Sequence, residues 1–286
     1  FGKRGSDAGL RGILRLSRLL RKHRVDIVFG LQRSVRTSLL ALLCRAPIRI
    51  GFREASASFL YSHRVPWRQE KHEIERNHDL LKALVADVSD APTRMADVVV
   101  HAEAHGLPPS ISQQYERAPI SRRIVLAPGS VWKTKRWPQE RWTELATVLR
   151  QRGASVVIMG GREDARLCET IAADSHTVAV CDASLPQSIN LLQQADTLVT
   201  NDSAPTHLAA LAGTRTVTIF GSTLPSFGFA PRGAGDVVVE DTTVACRPCG
   251  LHGRRECPLG TLQCLHAIST QHVLGALESP SALTSA

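Results

Sequence analysis

Apolar and polar positions along this chain follow two alternating periods. Leu10, Ile13, Leu14, Leu16, Leu19 and Leu20 recur at helical spacing with arginines between them. They predict an amphipathic helix from Leu10 to Lys22 with a basic outer face. Val25 to Gly30 is a short apolar run that reads as a buried strand. A helix follows from Ser34 to Cys44, ended before Pro47, then a strand from Ile48 to Phe52 and a helix from His72 to Val85. Strands alternating with helices argue for a parallel sheet covered by helices. Residues 91–121 break the rhythm and hold Pro92, Pro108, Pro109 and Pro119, so they read as a domain junction.

The second half restarts the pattern. Predicted strands run from Arg123 to Ala127, Ser155 to Met159, Val178 to Val180, Thr197 to Thr200 and Thr216 to Phe220. Predicted helices cover Gln139–Gln151, opened by Pro138, and Asp164–Ala173, Pro186–Ala195 and Pro205–Leu211. This is the pattern of an open, doubly wound α/β sheet, whose ligands bind at the carboxyl ends of the strands. The reading gives an N-terminal domain at 1–118, a second domain at 119–275 and a loose tail at 276–286.

Composition adds limits. Of 286 residues, 43% are hydrophobic and 21% charged, enough for a real core. No apolar run approaches the roughly 18 residues of a membrane span, and no signal peptide is visible. The net charge of +9 favours anionic partners such as phosphorylated sugars or anionic lipid, unless it reflects only an arginine-rich coding background. Two Tyr and seven Phe, with no aromatic-interleaved basic strand, argue against nucleic acid.

The chemistry lies where strands end. In Thr200-Asn201-Asp202-Ser203-Ala204-Pro205-Thr206-His207 a strand turns through polar residues into a helix. Free N–H groups at such a helix start bind phosphate oxygens, although Asp202 and Ser203 singly are also ordinary helix caps. The strand ending in Phe220-Gly221-Ser222-Thr223 follows. Two more segments have the same placement: Ala127-Pro128-Gly129-Ser130 with Lys135-Arg136-Trp137-Pro138, and Gly160-Gly161-Arg162-Glu163-Asp164. Trp137 reads as core packing.

Together these segments resemble the nucleotide-sugar site of the ADP-heptose:lipopolysaccharide heptosyltransferases, glycosyltransferase family 9. The weaker matches Asp26–Phe52 and His72–Asn77 extend the resemblance through most of the chain, with details nearer the heptosyltransferase II branch. The chain departs from the pattern at Ala204, where glycine is common. The resemblance implies a GT-B fold, two Rossmann-like domains facing a cleft. It also implies inverting, metal-independent transfer of heptose from ADP-heptose to the lipid A–core acceptor, on the cytoplasmic face of the bacterial inner membrane with peripheral contact to that anionic surface. Lys135 matches the lysine that contacts the donor diphosphate. Asp202, Ser203, Ala204 and His207 match the phosphate- and sugar-contacting turn. Ser130 and Thr223 belong to the same donor site. Glu163 or Asp164 matches the acidic residue that holds the adenosine ribose. On the acceptor side Gln32, Arg33, Arg53, Glu54 and Arg64 are the candidates; arginine forks suit carboxylates and phosphates, and a solvated basic face is the alternative.

In the family an earlier strand and Gly-Asp turn supply the proposed base. Asp7 and Asp26 do not match it, so the catalytic aspartate is expected upstream of Phe1, with the chain as given poor at transfer. Other readings are a UDP-sugar transferase or epimerase on the same scaffold, and a non-catalytic remnant that binds nucleotide-sugar. Finally, Cys246, Cys249, Cys257 and Cys264 fall within nineteen residues. Four thiolates at this spacing suit a structural zinc ion, with His252 and His266 as substitutes; free thiols or a redox pair are the alternative. Cys44, Cys168 and Cys181 read as small core residues.

Overall fold

The computed structural model describes residues 9–85, 106–107, 111–112 and 122–279. The boundary read at 118, most of the junction at 91–121, Asp7 and the tail from 280 onward lie outside the described residues. The chain divides into two compact units, residues 1–92 and 93–286.

Unit 1 contains α1 (Gly9–Lys22), β1 (Ile27–Gly30), α2 (Val35–Leu43), β2 (Ile48–Phe52), β3 (His63–Val65) and α3 (Glu73–Leu81). Its three strands form a parallel sheet in the order β1-β2-β3, with Ile27 opposite Ile48 and Ile50 opposite His63. Ser34 caps α2 by accepting the Thr37 N–H, and Arg21 Nε ties α1 to α2 by donating to the Leu43 carbonyl at 2.7 Å. Helix α3 opens with a reciprocal cap between His72 and Glu75. The core gathers Ala41, Ile50, Phe52, Ala55, Tyr61 and Leu80. Tyr61 lies across Gly30 and Gly51, which face each other in the sheet; a Cβ on either glycine would overlap its ring. The sequence pattern did not show β3, three residues with one apolar side chain.

Unit 2 holds β4 (Arg123–Ala127), α4 (Gln139–Gln151), β5 (Ser155–Met159), α5 (Ala165–Ser175), β6 (Val178–Val180), α6 (Leu185–Gln193), β7 (Thr197–Asn201), α7 (Ala204–Ala212), β8 (Arg215–Phe220), β9 (Val237–Glu240), α8 (Gln263–His266) and α9 (Thr270–Glu278). All six strands are parallel, in the order β6-β5-β4-β7-β8-β9. Both faces are covered. Ile124, Leu126, Val156, Ile158, Val217 and Ile219 pack into one core with Trp142 and Leu145 of α4; Val125, Ala127, Val157, Met159 and Leu198 pack into the other with Leu191, Leu192 and Ala209. That explains the unbroken apolar runs seen in the sequence. Strand β9 and helix α9 complete the unit. Val273, Leu274 and Leu277 of α9 are buried, and the helix runs through Glu278, past the limit of 275 read from the sequence.

The chain leaves β4 outward through β5 to β6, then returns to place β7 on the other side of β4. The strand order therefore reverses between β4 and β7, where such sheets open a crevice beyond their carboxyl ends.

Candidate functional site

Four loops meet at that reversal: 128–136 after β4, 160–164 after β5, 202–203 after β7 and 221–223 after β8. Asn201, fully buried, braces them. Its side chain donates to the Pro128 carbonyl (2.8 Å) and accepts the Trp137 N–H (3.0 Å). Trp137 is held from behind as well: its indole N–H reaches the Ile268 carbonyl at 2.9 Å, and its ring meets Trp142 edge-on at 5.1 Å. It is a core residue, as its sequence position suggested.

Lys135 Nζ lies 2.6 Å from Asp202 Oδ2, and the Thr223 hydroxyl donates to the same oxygen at 2.6 Å. Asp202 is 8% exposed and Thr223 1%, so the lysine charge is held at the floor of the site. Next to Asp202, Ser203 occupies the N-cap position of α7 but does not cap it. Its hydroxyl is turned to the Gly129 carbonyl (3.3 Å) and the Asn201 carbonyl (3.3 Å). The first N–H groups of a helix lack intrahelical acceptors; in α7 Pro205 has none to offer and the Thr206 N–H donates to the Ser203 carbonyl at 3.1 Å, so it is the Ala204 N–H that Ser203 leaves without a side-chain cap. Ala204 and His207 are exposed on the first turn. Ser130 is buried and its Oγ accepts the Trp132 N–H at 3.4 Å.

The neighbouring carboxylates, equivalent in sequence, part company here. Asp164 turns inward over Gly129, where a Cβ would collide with its carboxylate, and lies 3.5 Å from Arg136. Arg136 in turn donates from Nε to the Ser130 carbonyl at 2.7 Å. Glu163 is exposed on the loop.

The arrangement has the chemistry to hold an anion. It has a fixed ammonium, an open helix N-terminus and hydroxyls at the end of a parallel sheet, which suits a diphosphate. In comparison with known proteins, the model of glycosyltransferase family 9 (heptosyltransferase) matches residues 13–259. The chain belongs to glycosyltransferase family 9. It is 30% identical over 181 residues to lipopolysaccharide heptosyltransferase 1 of Pseudomonas aeruginosa, covering 63% of this chain and 48% of that protein. It is 27% identical over 228 residues to lipopolysaccharide heptosyltransferase 2 of Escherichia coli, covering 74% of this chain and 64% of that one. The chain thus spans between about half and two thirds of the length of these curated relatives. The solved structure of the E. coli ADP-heptose lps heptosyltransferase II superimposes with a TM-score of 0.69 at 23% identity, over 93% of this chain and 79% of that one. The fold class is α/β with parallel sheets, on the GT-B scaffold.

In the unit 1 portion of this family 9 chain, the acceptor candidates do not form one cluster. Arg33, after β1, stacks on Trp67 at 3.8 Å, and Glu54, after β2, accepts the Trp67 N–H at 2.7 Å. Arg76, 2% exposed, lies 4.8 Å from the same ring and 3.2 Å from Glu73. Burial pulls the Arg76 pKa below its ordinary value, and Glu73 offsets part of that. Gln32 and Arg53 are exposed at the same strand ends. Arg64 sits apart in β3, on a groove shared with Arg68 and Lys71. Trp67 is the organiser that the sequence reading missed; a lone tryptophan in a loop carries no period to mark it.

The cysteines differ from one another. Cys246 is exposed, while burial pushes the Cys264 thiol up to about 11 and that of Cys249 upward. Backbone hydrogen bonds, from Leu262 foremost, draw Cys257 downward. Among the described residues, no three His, Cys, Asp or Glu are placed to hold a metal ion, so the spacing that suggested zinc has no assembled ligand set. Cys44 and Cys168 are core residues, as expected, and Cys181 is half-buried beside Cys168.

Proposed function

We propose that this chain binds ADP-heptose at the carboxyl ends of β4, β5, β7 and β8 and serves the transfer of heptose to the lipopolysaccharide inner core. The observation that supports this most is the convergence of Lys135 and Thr223 on Asp202 beside the uncapped start of α7. In this reading Lys135 and the Ala204 N–H at the start of α7 take the donor diphosphate, and they stabilise the negative charge that develops as it leaves. Metal is then not required for that charge. Ser203 and His207 face the phosphates and the sugar. Glu163, exposed while Asp164 is spent on Arg136 and Gly129, takes the ribose hydroxyls. A base deprotonates the acceptor hydroxyl, and attack from the far side of the anomeric carbon inverts it.

Arg33, Arg53 and Arg64 supply positive charge for a phosphorylated, carboxylated acceptor on unit 1. The net charge of +9 suits work at an anionic membrane surface on the cytoplasmic side. Among the described residues, no helix is long and apolar enough to cross a membrane.

The test is an ADP-release assay with ADP-heptose and a lipid A–core acceptor. Slow release that depends on the acceptor is expected. Turnover of a UDP-sugar, with none of ADP-heptose, would replace this reading by that of a UDP-sugar enzyme on the same scaffold.

A further inference from the structure

We infer that Thr134 is a positioning residue for Lys135, and that the cysteine-bearing segment 246–264 is the clamp that holds it. The inference rests on the donor-site reading above. Thr134 is the middle residue of a single 3-10 turn, Lys133–Lys135, and is 1% exposed. Its hydroxyl donates to the Arg254 carbonyl (3.1 Å), accepts the Arg254 N–H (2.8 Å) and accepts the Ser222 hydroxyl (3.0 Å). A threonine hydroxyl offers one donor and two acceptor positions, so all are filled. The Thr134 N–H also donates to the Arg254 carbonyl at 3.2 Å.

These bonds close a ring around the catalytic charge. Ser222 precedes Thr223, Thr223 holds Asp202, Asp202 holds Lys135, and Lys135 follows Thr134. The ring is fastened to the cysteine segment. Arg254 Nε donates to the Cys249 carbonyl (2.8 Å), and the Cys249 N–H donates to the Ser222 carbonyl (2.9 Å). Leu265, fully buried, packs under Gly221, where a Cβ would collide with it. Gly253 lets the segment approach: its φ is +82°, and a Cβ there would stand 3.2 Å from Lys135 Cγ, Thr134 Oγ1 and the Trp132 Cβ.

A free lysine loses much rotamer entropy when it binds a phosphate. A lysine whose loop is already fixed loses less on binding, and ligand affinity gains by that difference. The family 9 chain fixes Lys135 through contacts from residues about 90 and 120 positions away in sequence, which is why no local motif announces them.

The experiment is calorimetric titration of the full chain with ADP. Thr134→Val should weaken binding about five- to tenfold, and Thr134→Ser, which keeps the hydroxyl, less than about twofold. In a Lys135→Ala background, Thr134→Val should add less than about twofold, because it acts through the missing amine. Should Thr134→Val not fold, Ser222→Ala removes one bond of the same ring; it should weaken ADP about two- to threefold, again only when Lys135 is present. Equal weakening in both backgrounds, or none from either variant, overturns the positioning role. Lys135→Ala binding ADP as well as the parent would overturn the donor-site reading itself, and is read separately from the Thr134 result.

Discussion

Lys135→Ala is expected to weaken ADP binding by about 1.5–3 kcal/mol, the worth of a charge-assisted bond. Two effects act in one direction. The diphosphate loses its ammonium, and it then meets Asp202 without the cation that neutralises it. In the free protein, the side chains of Lys135 and Asp202 are 12% and 10% exposed and 2.6 Å apart. Removing the amine leaves a nearly buried carboxylate with Thr223 as its remaining side-chain donor, so the free protein should lose stability too. Lys135→Arg is not a neutral control, since a planar fork cannot replace a compact ammonium at one carboxylate oxygen. Titration calorimetry gives the affinity and thermal unfolding the stability. An affinity equal to that of the parent would take Lys135 out of the site.

The second large effect concerns unit 1. Gly51→Ala should destabilise it by about 1–3 kcal/mol, as forced overpacking does. Gly30 and Gly51 are opposite each other in β1 and β2, and Tyr61 fills the space that their missing side chains leave. The ring is 4% exposed, and its hydroxyl meets Ser38 Oγ at 3.3 Å, so it has no room to retreat. Burial also raises the Tyr61 pKa, which keeps the phenol neutral and able to hydrogen-bond there. Hydrogen exchange of the β1 and β2 amides should show faster opening in the variant, and trimming Tyr61 to leucine should recover part of the loss. A Gly51→Ala protein with parental protection would show that the sheet does not depend on this contact.

Much of the fold was legible because parallel strands buried on both faces leave continuous apolar runs. Strands β2, β4, β5 and β6 and helix α4 have the limits the sequence suggested. The parts that were not legible have physical reasons. Strand β3 is short and mostly polar. Helix α9 begins with a cap in which His272 takes the place usually held by Glu or Gln, so its start carries no familiar signature. In the site, the motifs identified Lys135, Asp202 and Thr223, which the structure brings into contact. They could not separate Glu163 from Asp164, because adjacent carboxylates have the same chemistry and only packing against Gly129 and Arg136 tells them apart. Asn201 was seen as part of its motif but given no role, and Thr134 and Arg254 were not singled out, because each acts by bracing backbone distant in sequence. The four cysteines lie in a segment that also hydrogen-bonds the lysine loop through Arg254, a contact their spacing does not announce.

The central claim is that the loops at the carboxyl edge of the second sheet form a donor site for an ADP-sugar. Titration of this chain with ADP-heptose and, separately, with a UDP-sugar tests it most directly. The account predicts tighter binding of ADP-heptose, with most of that affinity lost in Lys135→Ala. Equal or tighter binding of the UDP-sugar would contradict it.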